Sequence, residues 1–263
     1  MDINRDGHVH SDYCPHGSND DLKKYINVAI SKGIKEITFT EHMPMPRGIV
    51  DDEFYVTCAP SEDEILKYFK EITKLKLEYK DIIKINIGLE VDYIEGYEKW
   101  ITEHLNQYNE VLEDCILSVH FVKYNNKYYA IDILEYFEEL LKLTGSLEKI
   151  YDLYFDTLLK SIKCDLGQYK PKRIGHPTLI RIFNKKYPYE YKNIDKLKEI
   201  IKEIKSAGYE IDVNTAGLRK KYCGEIYPSG DFFKLAKENN LNMVYGSDSH
   251  EAKYVGCGFK KEL

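Results

Sequence analysis

The sequence predicts an α/β barrel of parallel strands, and three observations carry that expectation. Short β-branched runs alternate with longer amphipathic stretches of helical period along the whole chain. The length, 263 residues, is one that a single α/β barrel commonly occupies. Histidines and carboxylates stand at the C-terminal ends of the apolar runs, the face on which such barrels build their active sites. No linker, low-complexity tract or short-period repeat divides the chain, so one domain over residues 1–263 is expected.

The first strand is expected over residues 3–9. Asn19-Asp20-Asp21 opens a helix with Leu22, Ile26, Ala29 and Ile30 on one face, and Gly33 stops it. Ile34 to Thr40 is the second strand and runs into Glu41-His42. Residues 43–60 carry prolines and no periodicity and read as a long loop. Ser61 and Glu64 have capping-box spacing, and the helix they start extends to about Tyr79. Ile82 to Leu89 is the third strand, ending in Glu90, and a helix over 94–108 comes next. Cys115 to Val119 is the fourth, ending in His120. The polar turn Asn125-Asn126 then leads into helical stretches as far as Lys163. A short strand over 172–175 ends in His176, and one over 209–213 ends in Asn214. The last, over 242–247, precedes Asp248-Ser249-His250, and helices over 193–207 and 228–239 separate these elements. The strands number seven, one short of the usual eight.

Composition is that of a soluble globular protein, with 43% hydrophobic and 31% charged residues. Net charge is −6 and no basic block stands out, which argues against nucleic acid as a partner. The N-terminus lacks the apolar core of a signal peptide and no apolar run suits a membrane, so a cytoplasmic protein is expected. The six cysteines include no C-x-x-C pair and suggest no disulfide framework. Cys115 reads as core. Cys14 lies inside a histidine cluster as a ligand or a bystander, and the three imidazoles around it favour the bystander.

That cluster is His8, His10 and His16. Spaced i, i+2 on a strand, His8 and His10 leave the same face and form half of a metal site. Pro15 breaks regular structure and lets His16 fold back. With His42, Glu90, His120, His176, Asp248 and His250 at or just past strand ends, seven of the eight histidines converge on one cup; His104, on a polar helix, reads as a surface residue. Seven imidazoles and two carboxylates exceed the three or four protein ligands of one catalytic metal, so the set implies two metals and, by donor count, three. Glu90 can bridge two of them, and a shared hydroxide would be a nucleophile at neutral pH. A cationic cup suits an anionic substrate such as a phosphate ester, and no Walker loop or Gly-rich phosphate cradle is present.

The motifs His8-x-His10-x5-His16, Thr40-Glu41-His42, Gly88-Leu89-Glu90, Ser118-Val119-His120, Gly175-His176-Pro177 and Gly246-Ser247-Asp248-Ser249-His250 together resemble the PHP (polymerase and histidinol phosphatase) superfamily, in order along the whole chain. Residues 174–178, Asn214 to Arg219 and Glu225 to Pro228 look like its histidinol-phosphatase branch. The resemblance implies a distorted seven-stranded, TIM-like (β/α)7 barrel with three divalent transition-metal ions, zinc, manganese or iron. It implies His8, His10, Glu90 and Asp248 for the first metal, Glu90, His120 and His176 for the second, and His16, His42 and His250 for the third. The implied reaction is hydrolysis of L-histidinol phosphate, a small phosphate monoester, by a metal-bridging hydroxide. Arg181 and Arg219, each five residues past a strand end, are expected at the phosphate. His42 is expected at the phosphate or leaving oxygen, and Asp248 as ligand and proton source. Asp92, Glu95, Asp51, Asp52 and Glu53 are candidates for the substrate's ammonium end. Asp12 and Glu41 are candidates to orient ligand histidines, and residues 43–60 a lid. The alternatives are a PHP phosphoesterase acting on nucleotides or oligonucleotides, for which the 23 tyrosines could stack bases, and a non-catalytic metal-binding module.

Overall fold

A computed structural model describes residues 1–261. Its seven-stranded sheet is built from β1 (Arg5–Val9), β2 (Glu36–His42), β3 (Lys84–Asp92), β4 (Ile116–Ser118), and, beyond a hairpin of β5 (Phe121–Tyr124) and β6 (Lys127–Ala130), β7 (Arg173–Ile174), β8 (Glu210–Asn214) and β9 (Met243–Gly246). The order is β1-β2-β3-β4-β7-β8-β9 and every neighbouring pair is parallel. Helices cover the outside: α1 (Leu22–Ser31), α2 (Asp52–Cys58), α3 (Glu62–Glu78), α4 (Glu98–Tyr108), α5 (Leu134–Thr144), α6 (Leu147–Lys163), α7 (Ile194–Ser206) and α8 (Gly230–Glu238). The strands are buried on both faces, as parallel strands between helices and a filled interior must be.

The ring closes between β1 and the chain just after β9. The Asp248 amide donates to the His8 carbonyl at 2.7 Å, and the His10 amide to Ser249 at 3.0 Å. Val9 and Ser249 form one parallel bridge rather than a full ladder, so the barrel is nearly closed and distorted. Gly246 permits this approach, since a Cβ there would run into Asp212 and the Cβ of His8.

The expected seven strands are the seven of the sheet. The capping box at Ser61 and Glu64 is formed, and Asp21 caps α1 through the Lys24 amide at 2.8 Å. Two elements differ from expectation. The chain after Asn125-Asn126 first forms β6 and only then turns helical; both asparagines have positive φ, +49° and +61°, as a two-residue hairpin turn requires. Residues 52–58 form α2 inside the expected loop, with Asp51 capping the Phe54 amide at 2.9 Å.

At the end of the barrel opposite the cup, Arg173 is fully buried. It donates to the Gly7 carbonyl at 2.8 Å and pairs with Asp114 at 3.1 Å. Among the described residues no helix is long and apolar enough to cross a membrane.

Candidate metal centre

The parallel register delivers the site. His42 at the end of β2 lies beside Glu90 on β3, and Asp92 beside Ser118 on β4. His8 leaves β1, while His10, His120, His176 and Asp248 leave the loops one or two residues past their strands. His176 and Asp248 sit at positive φ, +24° and +48°, an uncommon conformation for such residues that aims each side chain back over the barrel.

Glu90 is at the centre. Its Oε1 lies 2.8 Å from His176 Nε2, 3.8 Å from His120 Nε2 and 2.6 Å from the Ser118 hydroxyl that donates to it. Its Oε2 lies 3.3 Å from the Nε2 atoms of both His8 and His10 and 3.5 Å from His42 Nδ1. Asp248 adds Oδ1 at 3.3 Å from His10 Nε2 and 3.8 Å from His8 Nε2. Donor atoms within 4.8 Å of one another form three groups: His8, His10 and Asp248; Glu90, His120 and His176; and His10, Cys14, His42 and His250. His16 falls outside the third group by that measure, but its Nε2 lies 3.1 Å from that of His250.

The tautomers suit these geometries to holding a metal. His8 Nδ1 faces Asp212 at 2.8 Å, His120 Nδ1 faces Asp92 at 2.6 Å and His10 Nδ1 faces Glu41 at 3.4 Å. His16 Nδ1 faces the Thr57 carbonyl at 2.8 Å and His250 Nδ1 the Asp248 carbonyl at 3.3 Å. Carboxylate and carbonyl oxygens only accept, so each Nδ1 donates and each Nε2 presents a lone pair. Those lone pairs meet: His8 and His10 Nε2 are 3.2 Å apart, and His16 and His250 Nε2 3.1 Å. Lone pairs facing at that distance need a proton or a metal cation between them. His42 Nε2 and His176 Nδ1 are buried without a hydrogen-bond partner.

Electrostatics gives the same answer. Burial opposes charge on His8, yet Glu90, Asp212 and Asp248 push its imidazole up to about 10. Against burial, Asp92 and Glu90 push His120 up to about 10. Burial, reinforced by the neighbouring His10, drives His42 and His250 well below the usual imidazole range. Glu90 and Asp248, although buried, are held well below the carboxylate range by His8 and its neighbours. The site therefore draws protons to some imidazoles for want of positive charge, a demand that divalent cations would meet. The residues fit such ions.

The cup above these donors holds about 530 Å³, with Phe54, Phe121, Leu179, Ile182 and Tyr227 among its apolar walls. Arg219 lines it, donating to Ser247 and Asp248 carbonyls at 2.7 and 3.3 Å.

Several expected residues are placed otherwise. Arg181 does not line the cup. It lies in a 3-10 helix over Leu179–Phe183 that turns it away, and its guanidinium is taken by Glu190 and Glu225, at 3.1 and 3.0 Å. Glu95 is outside the cup and pairs with Lys160 at 2.8 Å. Asp92 lines the cup, but its carboxylate is engaged by His120. Asp51 caps α2 and accepts from Tyr136, and Asp52 and Glu53 are exposed. Asp12 is exposed and orients no histidine, whereas Glu41 holds His10 and Ser11. The long segment contributes Phe54, Thr57 and Cys58 to the cup wall. His104 stands apart on α4, stacked on Trp100.

Two functional candidates lie outside the set that the sequence nominates. Asp212, buried in the middle of β8, orients His8; an acid inside an apolar strand is its signal. Asp132, just past the hairpin, lines the cup, and its carboxylate makes no hydrogen bond or ion pair among the described residues. Nothing in its local sequence sets it apart.

The PHP domain family matches residues 6–216. A histidinol-phosphatase of Bacillus subtilis (strain 168) is 42% identical over 262 residues, covering 98% of both chains. A probable histidinol-phosphatase of Deinococcus radiodurans is 28% identical over 97% of this chain and 89% of its own. Among solved structures, a candidate histidinol phosphatase from Listeria monocytogenes superimposes with a TM-score of 0.94 at 34% identity, covering 98% of this chain and all of that one. The histidinol phosphate phosphatase of Lactococcus lactis, crystallised with zinc, L-histidinol and phosphate, shares the fold with a TM-score of 0.65 at 23% identity, over 95% of this chain and 87% of that one.

Proposed function

Because this chain belongs to the PHP domain family, in its histidinol-phosphatase branch, we propose that it hydrolyses L-histidinol phosphate to L-histidinol and phosphate in histidine biosynthesis. The observation that carries this reading is Glu90, whose two oxygens face two separate groups of imidazoles. In this reading His8, His10, Glu90 and Asp248 hold a first divalent cation, Glu90, His120 and His176 a second, and His16, His42 and His250 a third. Zinc, manganese and iron all suit these donors. Such cations supply Lewis acidity to a phosphate ester and make hydroxide available near neutral pH.

The chain's own residues do the rest. Ser118 and the imidazoles fix the Glu90 carboxylate, while Asp212, Glu41 and Asp92 hold His8, His10 and His120 in the ligating tautomer. Arg219, pinned beside Asp248, offers positive charge to the phosphate. Asp132 takes the ammonium of histidinol, and the apolar wall packs its imidazole ring. His42, neutral and buried, faces the phosphate. Asp248, ionised, orders the water that protonates the leaving alkoxide.

A substrate panel tests this reading. With added zinc or manganese, histidinol phosphate should be turned over with a kcat/KM at least tenfold above nucleoside monophosphates, short oligonucleotides and a chromogenic phosphate ester. A preference for nucleotides would replace it with the nucleotide reading, and no phosphate release from any of them would end it.

A further inference from the structure

From the third donor group, we propose that Cys14 is a metal ligand, a thiolate donor that makes this part of the centre selective for thiophilic cations such as zinc. The proposal rests on the metal-centre reading above. The thiol is almost fully buried, and its sulfur lies with the donor atoms of His10, His42 and His250, all within 4.8 Å of one another. A turn holds it there: the Cys14 amide donates to the Ser11 carbonyl at 3.2 Å, and the Cys14 carbonyl accepts from Gly17 at 3.0 Å. Independently, His42 Nε2 is buried and has no hydrogen-bond partner, while Nδ1 of the same ring faces Glu90. A soft sulfur enclosed with three imidazoles, one of them with an unpaired nitrogen, is the donor set of a structural or catalytic zinc site.

Cys58 gives the contrast. It also lines the cup, but its thiol donates to the Phe54 carbonyl at 3.3 Å at the end of α2. Pro15 separates Cys14 from His16, so one short turn offers a sulfur and an imidazole to the same region, with His16 Nε2 beside His250. Binding a divalent cation through the sulfur would release the thiol proton to solvent and leave the sulfur bound as thiolate.

Cobalt(II) is the probe. The full-length chain, stripped of metal and reloaded with cobalt, should show an intense near-ultraviolet thiolate-to-cobalt charge-transfer band. Cys14→Ser should lose the band and Cys58→Ser should keep it. Zinc retention against a chelator should fall at least tenfold in Cys14→Ser, while manganese retention should change by less than twofold. Bound cobalt without the band, or a band that survives in both Cys14→Ser and Cys14→Ala, overturns the assignment of Cys14 and leaves the metal centre standing. Failure of the wild-type chain to bind cobalt at all overturns both.

Discussion

Asp212 on β8 accepts the Nδ1 proton of His8 on β1 at 2.8 Å, across the closing seam of the barrel. Both side chains are fully buried. Asn214, two residues on, donates to Asp212 at 3.2 Å and to Asp248 at 3.1 Å, so one strand steadies an imidazole and a carboxylate of the site.

Asp212→Asn should weaken this support without removing a proposed ligand. Loss of a partner that orients a metal-bound histidine costs about 10- to 100-fold in metal affinity or activity. Metal titration followed by activity at saturating metal should separate the two effects; unchanged affinity would mean His8 is held by other contacts.

Glu90→Gln should abolish measurable turnover and lower the bound-metal count, because an amide cannot place anionic oxygens towards both imidazole groups. Metal analysis of the purified variant beside a phosphate-release assay checks both. Full metal content would remove Glu90 from the bridging role.

Asp132→Asn should raise KM for histidinol phosphate and leave a chromogenic phosphate ester almost untouched, because the acid faces the cup without a partner of its own among the described residues. A hydrogen bond to a charged group contributes about 1.5–3 kcal/mol, or roughly 10- to 100-fold. Equal losses on both substrates would instead point to a role in shaping the cup.

Arg173→Ala should destabilise the fold by about 1–3 kcal/mol, because the buried bonds of its guanidinium to Asp114 and the Gly7 carbonyl are lost while Asp114 keeps Arg5 at 3.0 Å. Despite burial, Arg173, Thr38 and Arg5 hold the Asp114 carboxyl below its usual range. An acid depressed in the folded state stabilises the protein above its unfolded value, and that contribution is lost as pH falls through the folded one. The melting temperature of the wild-type protein should therefore drop more steeply below about pH 4 than that of Asp114→Asn. Parallel acid limbs would show the pair to be energetically silent.

Much of the site is legible in the sequence because parallel barrels gather their C-terminal strand ends. Seven apolar runs, each taken with the residues just past its end, are enough to nominate His42, Glu90, His120, His176 and Asp248. Distance beyond a strand end carries no such information. Arg181 and Arg219 stand five residues past His176 and Asn214, yet a 3-10 turn hands Arg181 to Glu190 and Glu225 while Arg219 lies beside Asp248. Asn125-Asn126 holds the signal for the hairpin, but the tyrosine-rich continuation also fits a helix, and only pairing with β5 makes it a strand.

The sequence by itself determined the strand count of the barrel, the face that carries the chemistry and the donor types, since periodicity and residue chemistry are local properties. Only the tertiary structure decided which imidazoles share a lone-pair encounter, that Asp212 reaches His8, and that Cys14 points inward. Those depend on closure of β1 against the chain beyond β9, which brings together residues more than 200 positions apart through backbone bonds that no local pattern encodes.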